Sequence, residues 1–120
     1  MKANELRIGN KVSYEGSIVT VSTIADDEVT FSDYASFDYP QIEDISGVEL
    51  TQERLVRFGF IGRTDFKWKG KVGIQFSDNE YYIVFKDLSN VIFHSLLKIQ
   101  SVHQLQNLYF YLTGQELAFV

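Results

Sequence analysis

The chain has 120 residues, of which 45% are hydrophobic and 15% aromatic, and it contains no cysteine. This composition predicts a single folded domain over residues 1–120, and it excludes an intrinsically disordered protein, a disulfide scaffold and thiolate chemistry. The sequence has no apolar run long enough for a transmembrane helix, and its opening MKANELRIGN lacks the apolar stretch of a signal peptide. We therefore expect a cytoplasmic protein.

The formal net charge of −5 is distributed unevenly along the sequence. Residues 12–53 contain ten acids and no lysine or arginine, whereas residues 54–71 contain six bases and one acid. An acidic field of this size attracts basic proteins and repels nucleic acid. Acids also keep a small domain soluble, so the acidic span is compatible with an interaction surface and with an ordinary solvated face.

Residues 1–50 predict an acidic β-meander. Alternating β-branched residues predict strands that are separated by turns at residues 15–16 and 26–27. The three predicted strands span residues 11–15, 17–25 and 28–32. Phe37 and Tyr39 predict a fourth short strand, which Pro40 ends because proline has no amide hydrogen for a ladder. Short strands joined by tight turns are typical of an SH3-like barrel.

Residues 51–59 predict a short helix, in which Thr51 is the N-cap and Gly59 ends the last turn. Residues 60–100 predict antiparallel strands. These strands are expected at residues 60–69, 72–77, 81–86 and 91–93, and residues 116–120 predict a last strand.

Residues 101–113 predict the second helix, because Ser101 and Gln104 form a capping box. At helical spacing its apolar residues form one stripe. The stripe consists of Val102, Leu105, Leu108, Tyr109 and Leu112. We therefore expect an α+β fold, with an N-terminal SH3-like β-meander, a short helix, a second antiparallel sheet, and a C-terminal amphipathic helix packed on that sheet.

The sequence contains no motif typical of catalysis, metal binding or phosphate binding. His94 and His103 do not have the spacing of a metal-binding helix, and no glycine-rich phosphate loop is present. No nucleophile motif accompanies either histidine, and we expect His103, on the exposed flank of the second helix, to be a solvated or N-terminal-turn residue rather than a general base. The sequence therefore predicts a protein that is not an enzyme and that has no metal or cofactor.

The segment FSDYASFDYPQIED (31–44) alternates aromatic residues with acids, and its tyrosines offer contact area with a polar tip. We predict an acidic-aromatic surface here that binds a basic protein. Its candidate residues are Asp33, Tyr34, Asp38, Tyr39, Glu43 and Asp44. A second contact face is predicted on the flank of the C-terminal helix, at His103, Asn107, Phe110 and Tyr111. Pairing of the acids with bases in residues 54–71 remains an open alternative.

The segment RTDFKWKGK (63–71) interleaves aromatic residues with bases, as single-stranded nucleic-acid binders do. The candidate residues of this alternative are Arg63, Lys67, Trp68, Lys69 and Lys71. An ordinary strand gives the same alternation, with Phe66 and Trp68 facing the core and the lysines facing water. The acidic net charge favours the ordinary strand, because nucleic-acid binders usually have a basic footprint.

Three stretches carry a resemblance: ANELRIGNKV (3–12), LTQERLVRFGF (50–60) and VHQLQNLYFYLTGQEL (102–117). Together they resemble a family of small uncharacterised proteins of Bacteroidetes and their prophages. The most specific block is the C-terminal VHQLQNLYF-LTG-EL block, in which this chain has Tyr111 and Gln115 where the family would have Ala and Glu. The resemblance implies a mobile-element context in a bacterial host, and it implies no catalytic residues.

These observations together predict a non-catalytic protein-binding module of a mobile-element or phage type. Its sharpest form is an acidic inhibitor of a basic nucleic-acid-processing defence protein, such as a CRISPR effector. The alternatives are a nucleic-acid-binding module that uses residues 54–71 and an uncharacterised domain with no defence role. We expect a monomer or small oligomer that does not associate with a membrane.

Overall fold

The computed structural model describes residue 1, residues 3–34 and residues 40–118, and it omits the side chains of residues 3 and 93–96. Within these residues the chain forms two antiparallel sheets and two α-helices. The strands are β1 (Lys11–Tyr14), β2 (Ser17–Ala25), β3 (Glu28–Phe31), β4 (Ser46–Gly47), β5 (Ile61–Gly62), β6 (Phe66–Lys69), β7 (Val72–Ser77), β8 (Glu80–Lys86) and β9 (Ile92–Ile99). The helices are α1 (Gln52–Arg57) and α2 (Val102–Thr113), and 3₁₀ turns occur at Ala3–Glu5 and Ile42–Asp44. Nowhere in this part of the chain does a helix reach the length and apolarity needed to cross a membrane.

The chain divides into two compact units that differ in charge. The first unit comprises Met1–Glu49 and Ser101–Asn107, and the second comprises Leu50–Gln100 and Leu108–Val120. Helix α2 therefore contributes residues to both units. The first unit contains three bases and ten acids, a net charge of −7, whereas the second contains eight bases and six acids, a net charge of +2. A single domain over residues 1–120 stays the prediction of the sequence.

The first unit confirms the predicted N-terminal meander. Its sheet has the order β3-β2-β1-β4. Tight turns join β1 to β2 and β2 to β3, and Glu15, Gly16 and Asp26 adopt positive φ angles of 49°, 79° and 53° in these turns. Alternate residues of the strands face the core, where Val12 and Val29 are fully buried. An SH3-like barrel stays a prediction.

The second unit packs its helical residues on a five-stranded sheet of order β5-β6-β7-β8-β9. Helix α1 begins as predicted, because the Thr51 hydroxyl accepts a hydrogen bond from the Arg54 amide at 3.1 Å. Phe58 and Phe60, which follow α1, are fully buried, and the Phe60 ring makes an edge contact with Tyr109 of α2. The predicted α+β fold, with the C-terminal helix on the second sheet, is confirmed.

The strand boundaries after residue 60 differ from the prediction in three places. Residues 60–69 form two strands, because the chain reverses between Gly62 and Phe66 and pairs Ile61 with Trp68. Strand β9 is longer than the predicted residues 91–93, and residues 116–118 are not a strand. The predicted strand at Phe37 and Tyr39 and the end of the predicted last strand lie outside the described residues.

Helix α2 has the predicted bounds, but its apolar stripe is shorter than predicted. Val102, Leu105 and Tyr109 are buried, whereas Leu112 in the last turn is exposed. One hydrogen bond of the predicted capping box is seen, since the Gln104 side chain accepts from the Ser101 amide at 3.3 Å.

Candidate functional site

Segment 40–44 pairs with β3 and the turn before it, and this pairing brings together acids that are distant in the sequence. The Val29 amide donates to the Pro40 carbonyl at 3.0 Å, and the Ile42 amide donates to the Asp27 carbonyl at 2.7 Å. Gln41 forms an isolated antiparallel bridge with Glu28. This pairing places the 3₁₀ turn that carries Glu43 beside the acidic turn between β2 and β3.

An open cavity of about 250 Å³ lies where these two segments meet, and we call it the acidic pocket. Its described lining residues are Met1, Asp27, Gln41, Ile42 and Glu43. The two carboxylates supply negative charge and the Gln41 amide supplies a hydrogen-bonding group. Met1 and Ile42 add an apolar wall. Such a pocket suits a cationic side chain with an aliphatic stem, because lysine and arginine bury the stem while the charged head meets the acid.

Glu43 and Asp44 are both exposed, but the structure gives them different roles. The Asp44 carboxylate accepts a hydrogen bond from the Gln41 amide at 3.3 Å and so caps the 3₁₀ turn. Glu43 lines the acidic pocket. Glu43 is therefore a residue of the predicted acidic-aromatic surface that lines this cavity.

Asp33 is paired within its own unit. Its carboxylate accepts hydrogen bonds from the Thr20 amide at 2.8 Å and the Thr20 hydroxyl at 2.9 Å, and the Lys11 ammonium lies 4.0 Å away. Desolvation raises the pKa of the Asp33 carboxyl, but the two Thr20 hydrogen bonds and the Lys11 charge outweigh it and hold that pKa below its usual value. Asp33 is thus a surface residue that also stabilises the sheet through its hydrogen bonds to Thr20.

Tyr34 packs on the sheet rather than standing free of it. Its ring makes edge contacts with Tyr14 and Phe31, with centroids 5.6 Å and 6.3 Å away. Its hydroxyl donates to the Glu15 carboxylate at 2.8 Å, and this hydrogen bond raises the pKa of the Tyr34 phenol. The other two predicted residues of this surface, Asp38 and Tyr39, lie outside the described residues.

His103 lies in the first turn of α2, which is one of its two predicted positions, but the prediction of an exposed, solvated flank is wrong. His103 is only 4% exposed, and its Nδ1 pairs with the Ser101 hydroxyl at 3.0 Å. The ring lies against β4, where a side chain on Gly47 would come within 3.3 Å of it. Its Nε2 is buried and has no hydrogen-bond partner among the described residues. Desolvation lowers the pKa of His103, so the ring is neutral at pH 7.

The Ser101–His103 pair does not have the arrangement of a nucleophile and its base. Both side chains are buried, and the serine meets Nδ1, whereas no carboxylate bonds the other ring nitrogen within the described structure. Within the same described residues, no three histidine, aspartate or glutamate side chains lie close enough together to hold a metal ion. The pair therefore connects the start of α2 to β4.

The predicted contact face on the flank of α2 divides into two parts. Asn107 lies inside the first unit, where its side chain accepts hydrogen bonds from Asn10 at 2.8 Å and Arg7 at 3.3 Å. Its amide also donates to the Glu5 carbonyl at 3.0 Å. Phe110 and Tyr111 are exposed as predicted, and Tyr111 is the more exposed at 84%. The second part is the more exposed of the two.

The prediction that the lysines of β6 face water is wrong for Lys67. Its side chain is 7% exposed, and its ammonium donates to the Gln52 side chain and, at 2.9 Å, to the Arg63 carbonyl. Lys69, on the same face, donates to the Phe58 carbonyl at 2.7 Å and lies over the Tyr109 ring. Both lysines face the helical side of the sheet because they satisfy backbone and side-chain oxygens there.

Phe66 and Trp68 lie on the opposite face of β6 from Lys67, and both are half-buried. Their rings stack with centroids 6.3 Å apart and planes 11° apart. The Lys86 ammonium sits 4.1 Å above the Trp68 ring, and Gly73 lies directly below that ring. The remaining bases of this alternative are exposed. Arg63 pairs with Asp65 at 3.2 Å, and Lys71 donates to the Asn90 side chain at 2.8 Å.

Sequence reasoning missed several residues of these sites. The role of Asp27 in the pocket depends on the pairing of segment 40–44, which no local pattern predicts. Lys86 of β8 reaches Trp68 of β6 across the one strand between them, β7. The sequence does hold one signal for it, because a glycine within a strand often marks a place where another group approaches closely, and Gly73 lies in β7, paired with Trp68.

Comparison of the chain with protein-family models, with curated proteins and with solved structures gives no match.

Proposed function

We propose that this chain is a non-catalytic protein-binding module whose acidic first unit binds a basic protein. The observation that carries the proposal is the acidic pocket, which lies in a unit with a net charge of −7. A cavity with two carboxylates and an apolar wall can hold a lysine or arginine side chain of the partner. The surrounding acids raise the association rate with a basic surface.

The partner class that we propose is a basic nucleic-acid-processing defence protein, such as a CRISPR effector. The proposal rests on the acidic charge of the first unit and on the resemblance of the three sequence blocks to prophage proteins. Nucleic-acid-processing proteins have basic grooves, and an acidic protein can occupy such a groove in place of nucleic acid. Phe110 and Tyr111, which are exposed on α2, would supply aromatic contact area.

The test is a pull-down from host cytoplasm with mass spectrometry, which compares the wild type with Glu43→Lys and with Glu53→Lys. Both variants change the net charge equally, and both residues are exposed, but Glu53 lies in the second unit. We expect Glu43→Lys to lose a basic protein that the wild type and Glu53→Lys retain. Equal retention by all three proteins would refute the acidic pocket as the binding site.

The second candidate function is nucleic-acid binding through the second unit. The observation that favours it is the Phe66–Trp68 stack with Lys86 above it, because stacked aromatics with a nearby cation bind single strands. The burial of Lys67 argues against it, since this ammonium is already bonded within the unit. A labelled oligonucleotide that shifts with the wild type at low salt, and does not shift with Trp68→Ala and Lys86→Glu, would support this function.

A further inference from the structure

The hairpin between β8 and β9 displays apolar side chains at its tip. Leu88 is 96% exposed, and Val91 and Ile92 are 51% and 43% exposed. Covering a fully exposed leucine with a partner surface stabilises the complex, because the apolar area of the leucine leaves the solvent. The tip is therefore a candidate contact point.

Hydrogen bonds hold this tip in one conformation. The Asp87 carboxylate accepts from the amides of Ser89 and Val91 at 2.8 Å and 2.9 Å. The Asp87 amide donates to the Val91 carbonyl at 3.0 Å. A tip that is already ordered loses little conformational entropy on binding, so the exposed leucine is pre-organised as an anchor.

The tip carries a positive charge beside Asn90, in addition to the Asp87 carboxylate that bonds the tip amides. The Lys71 ammonium donates to the Asn90 side chain at 2.8 Å, which fixes the charge at the tip. A tip that carries both an apolar anchor and an ammonium group fits a cavity that has an apolar wall and a carboxylate rim. The acidic pocket of the first unit has both features, because Met1 and Ile42 lie beside Asp27 and Glu43.

We propose that the occupant of the tip is a second copy of this chain. Leu88 of one copy enters the acidic pocket of the next copy, and Lys71 approaches the carboxylates at its rim. The opposite net charges of the two units, −7 and +2, favour this head-to-tail contact. The contact is small, so the association is weak and depends on concentration. It also covers the pocket that the proposed basic partner would use, so the two compete.

Sedimentation velocity over a range of protein concentrations tests the association. We expect the sedimentation coefficient of the wild type to rise with concentration, and we expect Leu88→Asp and Glu43→Lys each to remain monomeric. Ile8→Asp is the matched control, because Ile8 is also highly exposed and the substitution adds the same charge. A wild type that is monomeric throughout, or a Leu88→Asp variant that associates like the wild type, overturns the proposal.

Mixing the two monomeric variants tests the head-to-tail geometry. Leu88→Asp keeps an intact pocket and Glu43→Lys keeps an intact tip, so their mixture should form a heterodimer that cannot grow further. A mixture that stays monomeric, or a Glu43→Lys variant that still self-associates through its tip, overturns the pairing. Binding of the wild type to anionic vesicles that Leu88→Asp loses, without self-association, would assign the tip to a lipid surface instead.

The same variants separate this inference from the proposed function. Leu88→Asp should lose self-association and retain the basic partner, because Leu88 is not part of the acidic pocket. Loss of the basic partner by Glu43→Lys, with self-association of the wild type absent, would support the proposed function and reject the contact between copies.

Discussion

The amide of Ile42 donates a hydrogen bond to the carbonyl of Asp27 at 2.7 Å, and this bond connects the two acidic segments of the first unit. Ile42 is buried, whereas Glu43, the next residue, is exposed at the pocket. Ile42 therefore packs the segment against the core, whereas Glu43 contributes charge to the surface.

Substitutions at these two positions should separate stability from binding. Ile42→Ala should lower the free energy of unfolding by about 2–5 kcal/mol, because it removes a buried side chain and leaves a cavity. Glu43→Gln should change it by less than about 0.5 kcal/mol, because the carboxylate is exposed. Urea unfolding followed by circular dichroism measures both values. A large loss of stability in Glu43→Gln would show that the carboxylate supports the fold.

Local patterns in the sequence predicted the elements of the fold well. The cap at Thr51, the turns at Glu15-Gly16 and Asp26-Asp27, and the helix over residues 102–113 depend on neighbouring residues, and the structure contains all of them. The reversal after Gly62 was missed because its φ of 141° and its close approach to the Phe66 carbonyl appear only once β5 and β6 pair.

The sites could be predicted only in part. The charge bias identified the acidic unit, but it did not show that Asp33 bonds Thr20 while Glu43 lines a cavity. Helix periodicity places the polar His103 on an exposed flank of α2, and strand periodicity places Lys67 on a solvent face of β6. Their burial depends on tertiary partners that are distant in the sequence or outside the local pattern. His103 is buried against Gly47 and Ser101, and Lys67 is buried against the Gln52 side chain and the Arg63 carbonyl.

The buried His103 should make stability depend on pH. Its pKa in the folded protein is below the ordinary value of 6.5, so the unfolded state binds a proton that the folded state does not. Stability should be complete above pH 6.5 and should fall as the pH decreases toward the folded pKa. Glu5 raises this pKa and the amino terminus lowers it.

The measurement is the unfolding free energy of the wild type and of His103→Phe at several pH values. The difference between the two proteins cancels the other titrating groups, and it should shift in favour of His103→Phe as the pH falls below 6.5. Parallel profiles would show that His103 contributes nothing to the pH dependence. Near-ultraviolet circular dichroism at neutral pH checks that the variant is folded.

Asn107 and Tyr111 should respond differently to substitution although they share one helix. Asn107→Ala should cost about 1–3 kcal/mol, because the buried Asn10 amide loses its acceptor. Tyr111→Ala should cost less than about 0.5 kcal/mol, because the ring is exposed. Thermal and urea unfolding measure both. Tyr111→Ala should also weaken the proposed partner complex, whereas an unchanged affinity would remove Tyr111 from that surface.

The lysines of residues 63–71 should also separate into structural and exposed groups. Lys67→Ala should lower stability by about 1–3 kcal/mol, because it leaves the Gln52 side chain and the Arg63 carbonyl without their donor. Lys71→Ala should change it by less than about 0.5 kcal/mol, since Lys71 is exposed. Chemical unfolding of the two variants decides this. Equal and small effects would mean that Lys67 is solvated in solution.

A glycine should be required at position 73 for stability, because the Trp68 ring occupies the space that a side chain would need. A Cβ at Gly73 would lie 2.6 Å from Cε3 of Trp68 and 2.8 Å from a methyl carbon of Val84. Gly73→Ala should therefore displace the indole from Lys86 and cost about 1–3 kcal/mol through overpacking.

Because Trp68 is the only tryptophan in the chain, its fluorescence reports the displacement directly, and we expect a red shift as the ring becomes more exposed. Ser77→Ala, in the same strand, is the control. Unchanged emission together with unchanged stability would show that the ring does not rest on Gly73, whereas a red shift joined to weaker oligonucleotide binding would connect this stack to the second candidate function.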